Sequence, residues 1–167
     1  DEPNIYGGMN YEAEKQVFYP SHIYASYKLN NKFALGFGFF TPFGLGIDWG
    51  DEYTGRYLVD KVDLVSYYFN PNVSYQVNDM FSVAFGLDYI LSDVELERNI
   101  LLSELGLPDG KATLDGSNEG GDISFNIGAL LKPSSKFQLG LSYRHGAEIE
   151  YEGDVTFDLP VTGDPAI

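Results

Sequence analysis

Apolar and polar residues alternate along most of this chain, and this two-residue period is its dominant pattern. The clearest case runs from Asp63 to Gln76. One face of that stretch carries Val65, Tyr67, Phe69, Val73 and Tyr75, and the other carries Ser66, Tyr68, Asn70, Asn72, Ser74 and Gln76. Because successive side chains of a strand point to opposite faces, the pattern predicts a strand with one apolar face and one face of small and polar groups.

The same alternation predicts six strands in three hairpins. The predicted strands are 19–29, 32–41, 61–77, 81–97, 121–132 and 136–151. The turns fall at Asn30-Asn31, Asn78-Asp79 and Pro133-Ser134-Ser135, residue types that favour tight turns. Several of these strands exceed the roughly 5–6 residues typical of soluble sheets and reach the roughly 9–11 residues that cross a bilayer at a tilt.

The connections between the predicted strands alternate between short and long. Three are tight turns, whereas 42–60 and 98–120 are long and irregular. This asymmetry is typical of outer-membrane β-barrels, while a soluble sandwich has mostly short connections. Aromatic residues near the short turns suit a membrane interface: Tyr27, Phe33, Tyr75, Phe81 and Phe137. We therefore predict an all-β antiparallel meander from a transmembrane β-barrel, with long extracellular loops and short periplasmic turns.

Charge follows the same division. The 167 residues include 25 acidic and 10 basic side chains, giving a net charge of -15, which excludes a nucleic-acid partner because phosphate binding needs a basic surface. Many acids, such as Glu104 and Asp115, lie in the predicted loops, where divalent cations can bridge them to outer-membrane lipid and lipopolysaccharide; solubility is the simpler alternative. The chain contains no cysteine, which excludes a disulfide scaffold and thiol chemistry.

Two prolines interrupt the alternation. Pro71 falls inside a predicted strand, where it removes a hydrogen-bond donor from the ladder. Pro42 follows the second predicted strand and is succeeded by Gly44 and Gly46. This combination predicts a break, bulge or kink, and the alternative is a simple strand end.

The order of these segments resembles the FadL family of outer-membrane transport proteins. The resemblance extends over residues 19–155 and rests on six stretches taken in order, which are Asn31 to Gly46, Gly55 to Leu58, Asp63 to Val65, Asn70 to Asp79, Phe81 to Leu87, and Gln138 to Arg144. It implies a fourteen-stranded barrel with an N-terminal hatch domain. Residues 1–167 would then supply about the second to seventh strands, without the hatch and the C-terminal strands. Because six strands cannot close around a lumen, we expect a curved, open sheet with two unpaired edges.

The resemblance also suggests where a hydrophobic ligand binds. Arg98, at the end of the fourth predicted strand, corresponds to the family's arginine that meets a ligand carboxylate, and by parity it shares the lumenal face with Asp88 and Ser92. The alternative is an ion pair with Glu95 or Glu97. Apolar residues in the following loop predict a short amphipathic helix that captures ligand or, alternatively, packs on neighbouring loops: Ile100, Leu101, Leu102, Leu105 and Leu107.

The stretch from Phe39 to Gly46 is the candidate kink and lateral gate. Pro42, Gly44 and Gly46 would permit the kink, and Phe40, Phe43 and Leu45 would line an apolar path. Parity also permits Phe43 and Leu45 to face lipid.

No pattern in the sequence predicts catalysis, a cofactor or a metal site. His22 and His145 are far apart, with no nucleophile elbow and no metal-binding motif nearby. We therefore predict that the protein is not an enzyme. The leading interpretation is passive, ligand-gated uptake of long-chain fatty acids or other hydrophobic compounds by a monomer in the bacterial outer membrane. Two alternatives stay open, a structural or adhesive outer-membrane barrel and a soluble β-sandwich binding module.

Overall fold

The computed structural model describes residues 11–50 and 52–160. Nine strands make one antiparallel sheet in this part of the chain, with a single turn of 3-10 helix at Ser103–Leu105. The strands are β1 His22–Lys28, β2 Phe33–Phe40, β3 Gly44–Asp48, β4 Lys61–Gln76, β5 Phe81–Ile100, β6 Gly110–Ser117, β7 Asp122–Ser134, β8 Phe137–Arg144 and β9 Glu152–Asp158.

The nine strands occupy six positions across the sheet, which we call arms. Three arms are single strands, and each of the other three consists of two strands with an interruption between them. β2 and β3 both pair with β4 and are separated by residues 41–43. β6 and β7 both pair with β5 and are separated by residues 118–121, while β9 and β8 continue the next arm on either side of residues 145–151. The three-hairpin meander predicted from the sequence is therefore confirmed, although its boundaries need correction.

The corrections concern the predicted long loops. β3 lies inside the predicted 42–60 loop and β6 inside the predicted 98–120 loop, and the last predicted strand stops at Arg144 and resumes at Glu152. Glycine and aspartate in β6 and β9 resemble loop composition, but pairing with the 20-residue strand β5 holds these segments extended. Two regions of the sheet follow from this arrangement. We call residues 22–40, 66–92 and 122–144 the turn-end half, and residues 44–48, 61–65, 93–100, 110–117 and 152–158 the loop-end half.

In the turn-end half the predicted alternation of faces is present. On β5 the Asp88 side chain is fully buried, whereas its neighbour Leu87 on the opposite face is 47% exposed. The guanidinium carbon of Arg144 on β8 lies 4.9 Å from the ring centre of Phe40 on β2, although β4, β5 and β7 separate those two strands. The sheet is therefore strongly curved, with the polar face concave and the large apolar side chains on the convex face.

Pro71 is accommodated by a neighbouring side chain. The register places Pro71 opposite Leu87, where proline has no N–H to donate. The side-chain amide of Asn70 donates to the Leu87 carbonyl oxygen instead, at 2.9 Å. A polar residue before the proline thus restores the bond that the ladder loses.

No helix in the described ranges has the length and apolar character needed to cross a membrane.

Candidate ligand site

The two faces of the sheet exchange their character in the loop-end half. On the concave face, cross-strand pairing aligns one apolar residue from each of five strands: Ile47, Val62, Leu96, Leu114 and Val155. On the convex face, the neighbouring row consists of Asp63, Glu95, Asp115 and Asp154. The polar concave face of the turn-end half therefore becomes apolar here, and the apolar convex face becomes acidic.

Lysines partly neutralise the acidic convex face. Lys61 Nζ lies 2.9 Å from Glu95 Oε2, and Lys111 Nζ lies 2.6 Å from Glu97 Oε2. The bond from Lys111 holds the pKa of the Glu97 carboxyl below its usual range, and the bond to Glu95 raises the pKa of Lys61. Because hydrocarbon does not tolerate so many charges, this half of the sheet stands in water rather than in lipid.

An apolar pocket of about 270 Å³ opens on the concave face of the loop-end half. Its walls come from β5, β6, β9 and the loop before β4, and its lining consists of Leu58, Val59, Leu96, Glu97, Arg98, Ala112, Leu114, Val155 and Phe157. Two charged residues belong to this lining, Arg98 and Glu97, and the Glu97 carboxylate is bonded to Lys111 on the convex face. An apolar cavity with one or two polar groups is the usual construction of a small-molecule site.

Arg98 lies on the face that parity predicted. It is opposite Ala112 on β6, which is in turn opposite Phe157 on β9. The alternative ion pairs do not form, because Glu95 and Glu97 point to the opposite face and bond to lysines. Within the described residues, the Arg98 side chain forms no hydrogen bond or ion pair. Its guanidinium is therefore available to an anion at the pocket, and its contact with a ligand stays a prediction.

The predicted amphipathic helix after β5 is reduced to one 3-10 turn. Ile100 ends β5, and Gly106 stops the turn in the left-handed conformation at φ 74°. Leu101 is exposed and Leu102 and Leu107 are half-buried, while the side chain of Leu105 lies outside the described part of the structure. None of the other four, Ile100, Leu101, Leu102 and Leu107, lines the Arg98 pocket. The sequence analysis missed the apolar residues of β6 and β9 that do, although Ala112, Leu114 and Gly116 alternate with polar neighbours.

Asp109 joins the loop after β5 to the loop before β4. Its Oδ1 accepts hydrogen bonds from the backbone N–H groups of Leu102 and Ser103, both at 3.0 Å. Its Oδ2 accepts the Tyr57 hydroxyl at 2.7 Å and lies 3.5 Å from Arg56 Nη2. The hydrogen bonds from Tyr57 and Leu102 hold the pKa of the Asp109 carboxyl well below its usual range. The bond between Tyr57 and Asp109 also raises the pKa of the Tyr57 hydroxyl.

The stretch around Pro42 forms a bulge. Phe40 pairs with Tyr68 and Gly44 with Val65, so Thr41, Pro42 and Phe43 lie opposite only Ser66 and Tyr67. The extra residue shifts the parity, which places both Phe40 and Leu45 on the concave face. Leu45 therefore does not face lipid. Both Phe43 and Leu45 are exposed.

Gly46, which follows the bulge, lies against the N-terminal segment. A Cβ on Gly46 would lie 2.9 Å from the Phe18 ring. The absence of a side chain at Gly46 thus allows Phe18 of the N-terminal segment to pack against the sheet.

A buried polar cluster occupies the concave face of the turn-end half. The Asp88 carboxylate accepts from Asn70 Nδ2 at 3.0 Å, Asn126 Nδ2 at 3.2 Å and Arg144 Nε at 3.1 Å. These four residues come from β4, β5, β7 and β8. The Arg144 guanidinium then lies over the rings of Phe40 and Tyr68. The sequence analysis placed Asp88 on this face but did not foresee the cluster.

No group of acidic or histidine side chains within residues 11–50 and 52–160 is arranged to hold a metal ion. His22 is exposed on β1, and His145 stacks on Phe125 at a ring separation of 4.9 Å.

Comparison with known proteins identifies relatives along most of the chain. The sequence profile of the family described as outer membrane protein transport protein (OMPP1/FadL/TodX) matches residues 11–164. The long-chain fatty acid transport protein of Salmonella typhi is 26% identical over 149 residues, covering 80% of this chain and 34% of that protein. Outer membrane protein P1 of Haemophilus influenzae is 30% identical over 97 residues, covering 58% of this chain and 21% of that protein. The chain thus spans about a third or less of the length of these curated relatives.

Solved structures with the same fold are also found. A Pseudomonas aeruginosa FadL homologue gives a TM-score of 0.74 at 19% identity, over 83% of this chain and 34% of that chain. The Ralstonia pickettii toluene transporter TbuX gives a TM-score of 0.67 at 16% identity, over 83% of this chain and 43% of that chain. At these identities the likeness concerns the fold alone.

Proposed function

This chain belongs to the OMPP1/FadL/TodX family of outer-membrane transport proteins, and on that premise we propose that it takes up long-chain fatty acids or other hydrophobic compounds by a passive, ligand-gated route. The protein is located in the bacterial outer membrane, and the family consists of transporters rather than enzymes. This location excludes the soluble β-sandwich that the alternation alone left open.

The observation that carries the proposal is the apolar pocket of the loop-end half. Water surrounds this half, yet its concave face aligns apolar side chains from five strands. A structural barrel has no need to keep such a surface open, whereas a protein that collects hydrophobic molecules from water does. The burial of a ligand's apolar surface against this row supplies the driving force for binding.

Arg98 favours a ligand with a carboxylate head. A guanidinium forms charge-assisted hydrogen bonds to carboxylates, and apolar surroundings strengthen them. The neighbouring side chains Leu96, Ala112 and Phe157 would contact an acyl chain. Relatives of this chain include a protein named for long-chain fatty acids and another named for toluene. The unpaired arginine supports the fatty acid in preference to the aromatic hydrocarbon.

The bulge at residues 41–43 is the proposed gate. It breaks the ladder between the second and third arms, so this part of the wall has fewer backbone bonds to lose on opening. Phe40 and Leu45 flank the bulge on the concave face and would provide an apolar path to it.

The test is ligand binding by the full-length protein in detergent, with Arg98→Ala compared with the unmodified protein. Loss of one charge-assisted contact should weaken oleate binding by about 1.5 kcal/mol, or roughly tenfold in Kd. Binding of the uncharged oleyl alcohol should be unchanged. Lys136→Ala, which removes a cation from the opposite end of the sheet, is the matched control and should leave both affinities unaltered.

Equal oleate affinity of the two proteins would remove Arg98 from the site. Binding of toluene but of no fatty acid would replace the ligand class, and binding of neither would overturn uptake in favour of a structural barrel.

A further inference from the structure

Two loops meet beside the Arg98 pocket. The Asn99 N–H donates to the Arg56 carbonyl oxygen at 2.8 Å, and the Asp60 N–H donates to the Glu97 carbonyl oxygen at 2.8 Å. Residues 56–60 therefore run along the free edge of β5 at its loop end. Leu58 and Val59, between these two bonds, form part of the pocket lining.

The Asp109 carboxylate is the point at which the two loops are tied by side chains. Its Oδ1 bonds the first backbone N–H groups of the 3-10 turn, and its Oδ2 bonds Tyr57 and approaches Arg56. Both oxygens are thus used, and each loop is held by one of them. An asparagine has a single acceptor oxygen and cannot accept both sets of bonds.

Asp109 itself is outside the lining of the Arg98 pocket. Any influence that it has on a ligand there must pass through the loops that it holds. Its four partners are separated from it by up to 53 residues in sequence, so its bonds add a side-chain tie between the two loops to the backbone bonds that hold residues 56–60 along β5.

We propose that Asp109 is a positioning residue for ligand capture, which holds residues 55–59 and the apolar segment 101–107 together so that Leu58 and Val59 form a fixed wall of the Arg98 pocket. This inference rests on the proposed function of that pocket. It assigns Asp109 a role in the shape of the wall, whereas Arg98 recognises the head of the ligand. The two residues therefore differ in the ligands that their loss affects.

The test measures loop geometry and affinity separately in the full-length protein. Spin labels are placed at Thr54→Cys and Glu104→Cys, one on each loop. These 167 residues contain no cysteine, and any cysteine elsewhere in the full-length protein is replaced by serine. The distance distribution between the labels should be narrow in the otherwise unmodified protein and broader in Asp109→Ala and Asp109→Asn. Affinities for oleate and for oleyl alcohol should fall together, by about 2–30-fold. Tyr57→Phe, which removes one bond and keeps the ring, should give a smaller change in the same direction.

Glu119→Gln is the matched control, because Glu119 is an exposed acid in the interruption between β6 and β7, away from both loops. It should change neither distances nor affinities. Unchanged distances in Asp109→Ala would overturn the proposal, and so would broader distances with unaltered affinities. A loss confined to oleate would also overturn it, because that pattern belongs to a headgroup contact. If the unmodified protein binds neither ligand, the proposed function fails first, and broader distances would then reduce Asp109 to a structural tie.

Discussion

The turn-end and loop-end halves share the two long strands β4 and β5, yet they place their apolar and polar side chains on opposite faces. In the turn-end half the apolar side chains face outward and the polar ones are buried around Asp88. In the loop-end half the acids face outward and the apolar row faces inward. The period of two is the same in both, so alternation alone does not say which face meets which solvent. The identity of the residues on the convex face shows whether that face meets lipid or water.

The exchange occurs within a few residues of β5. Tyr89 and Leu91 are the last apolar groups on the convex face before Asp93, Glu95 and Glu97 follow on the same face. The strand interruptions at 41–43, 118–121 and 145–151 adjoin this level. At the 118–121 interruption the Asn118 side chain supplies hydrogen bonds to the backbone of β5. It accepts from the Ser92 N–H at 2.7 Å and donates to the Ile90 carbonyl oxygen at 2.9 Å. The boundary between lipid and water therefore coincides with a change in the convex side chains and with the interruptions of the strands.

The largest expected effect comes from breaking the buried cluster of the turn-end half. Asp88→Ala removes the acceptor of Asn70, Asn126 and Arg144 together and leaves three donors without it. We expect the free energy of unfolding to fall by about 3 kcal/mol, measured by urea titration in lipid vesicles. Asp79→Ala, in an exposed turn, should have little effect. A loss below about 1 kcal/mol would mean that water replaces the carboxylate and that the cluster contributes little.

A pair of charge substitutions on one face of β5 sharpens the boundary itself. Phe85→Arg places a cation on the convex face of the turn-end half and should cost about 2 kcal/mol in vesicles. Asp93→Arg makes a larger change of charge eight residues later on the same face and should stay within about 0.5 kcal/mol, because that position stands in water. Similar costs for the two variants would contradict the division of the sheet.

The smallest expected effect is a dependence on pH that belongs to the loop-end half. The pKa of Glu97 is lowered in the folded protein by its bond from Lys111. The stabilisation is therefore present above the ordinary pKa of 4.5 and is lost as the pH falls through the lowered value. We expect a loss of at most about 1 kcal/mol in the stability of β5–β6 pairing between neutral and acidic pH, followed by the fluorescence of a label on β6. Glu97→Gln should remove this dependence, and an unaltered profile would show that the pair is not its origin.

The hairpin meander and the faces of β4 and β5 could be predicted because their alternation is long and carries bulky residues. β6 and β9 could not, because Gly110, Asp115, Gly116 and Gly153 suggest loops when each segment is considered alone. Their extended form depends on the neighbouring strand β5, which a local pattern does not contain.

The candidate site shows the same division between local and distant information. The face of Arg98 followed from parity along one strand. Its freedom from Glu95 and Glu97 depends on Lys61 and Lys111, which reach those acids from other strands. The partners of Asp88 likewise come from three other strands, and only the register of the whole sheet brings them together. Register is a property of pairs of strands, and a single sequence does not contain it explicitly.

The length of β5 separates two events in space. Its 20 residues extend for roughly 65 Å at about 3.3 Å per residue, whereas the apolar band of an outer-membrane barrel is only about 25 Å tall. Even when tilted, the strand rises well beyond the hydrocarbon, and the row containing Leu96 and Leu114 lies on the part that does so. In the proposed uptake, a solute settling on that row would shed its hydration shell before it reaches the bilayer. On that proposal, dehydration and passage through the wall would have separate barriers, and a substitution in one half of the sheet would change one rate without changing the other.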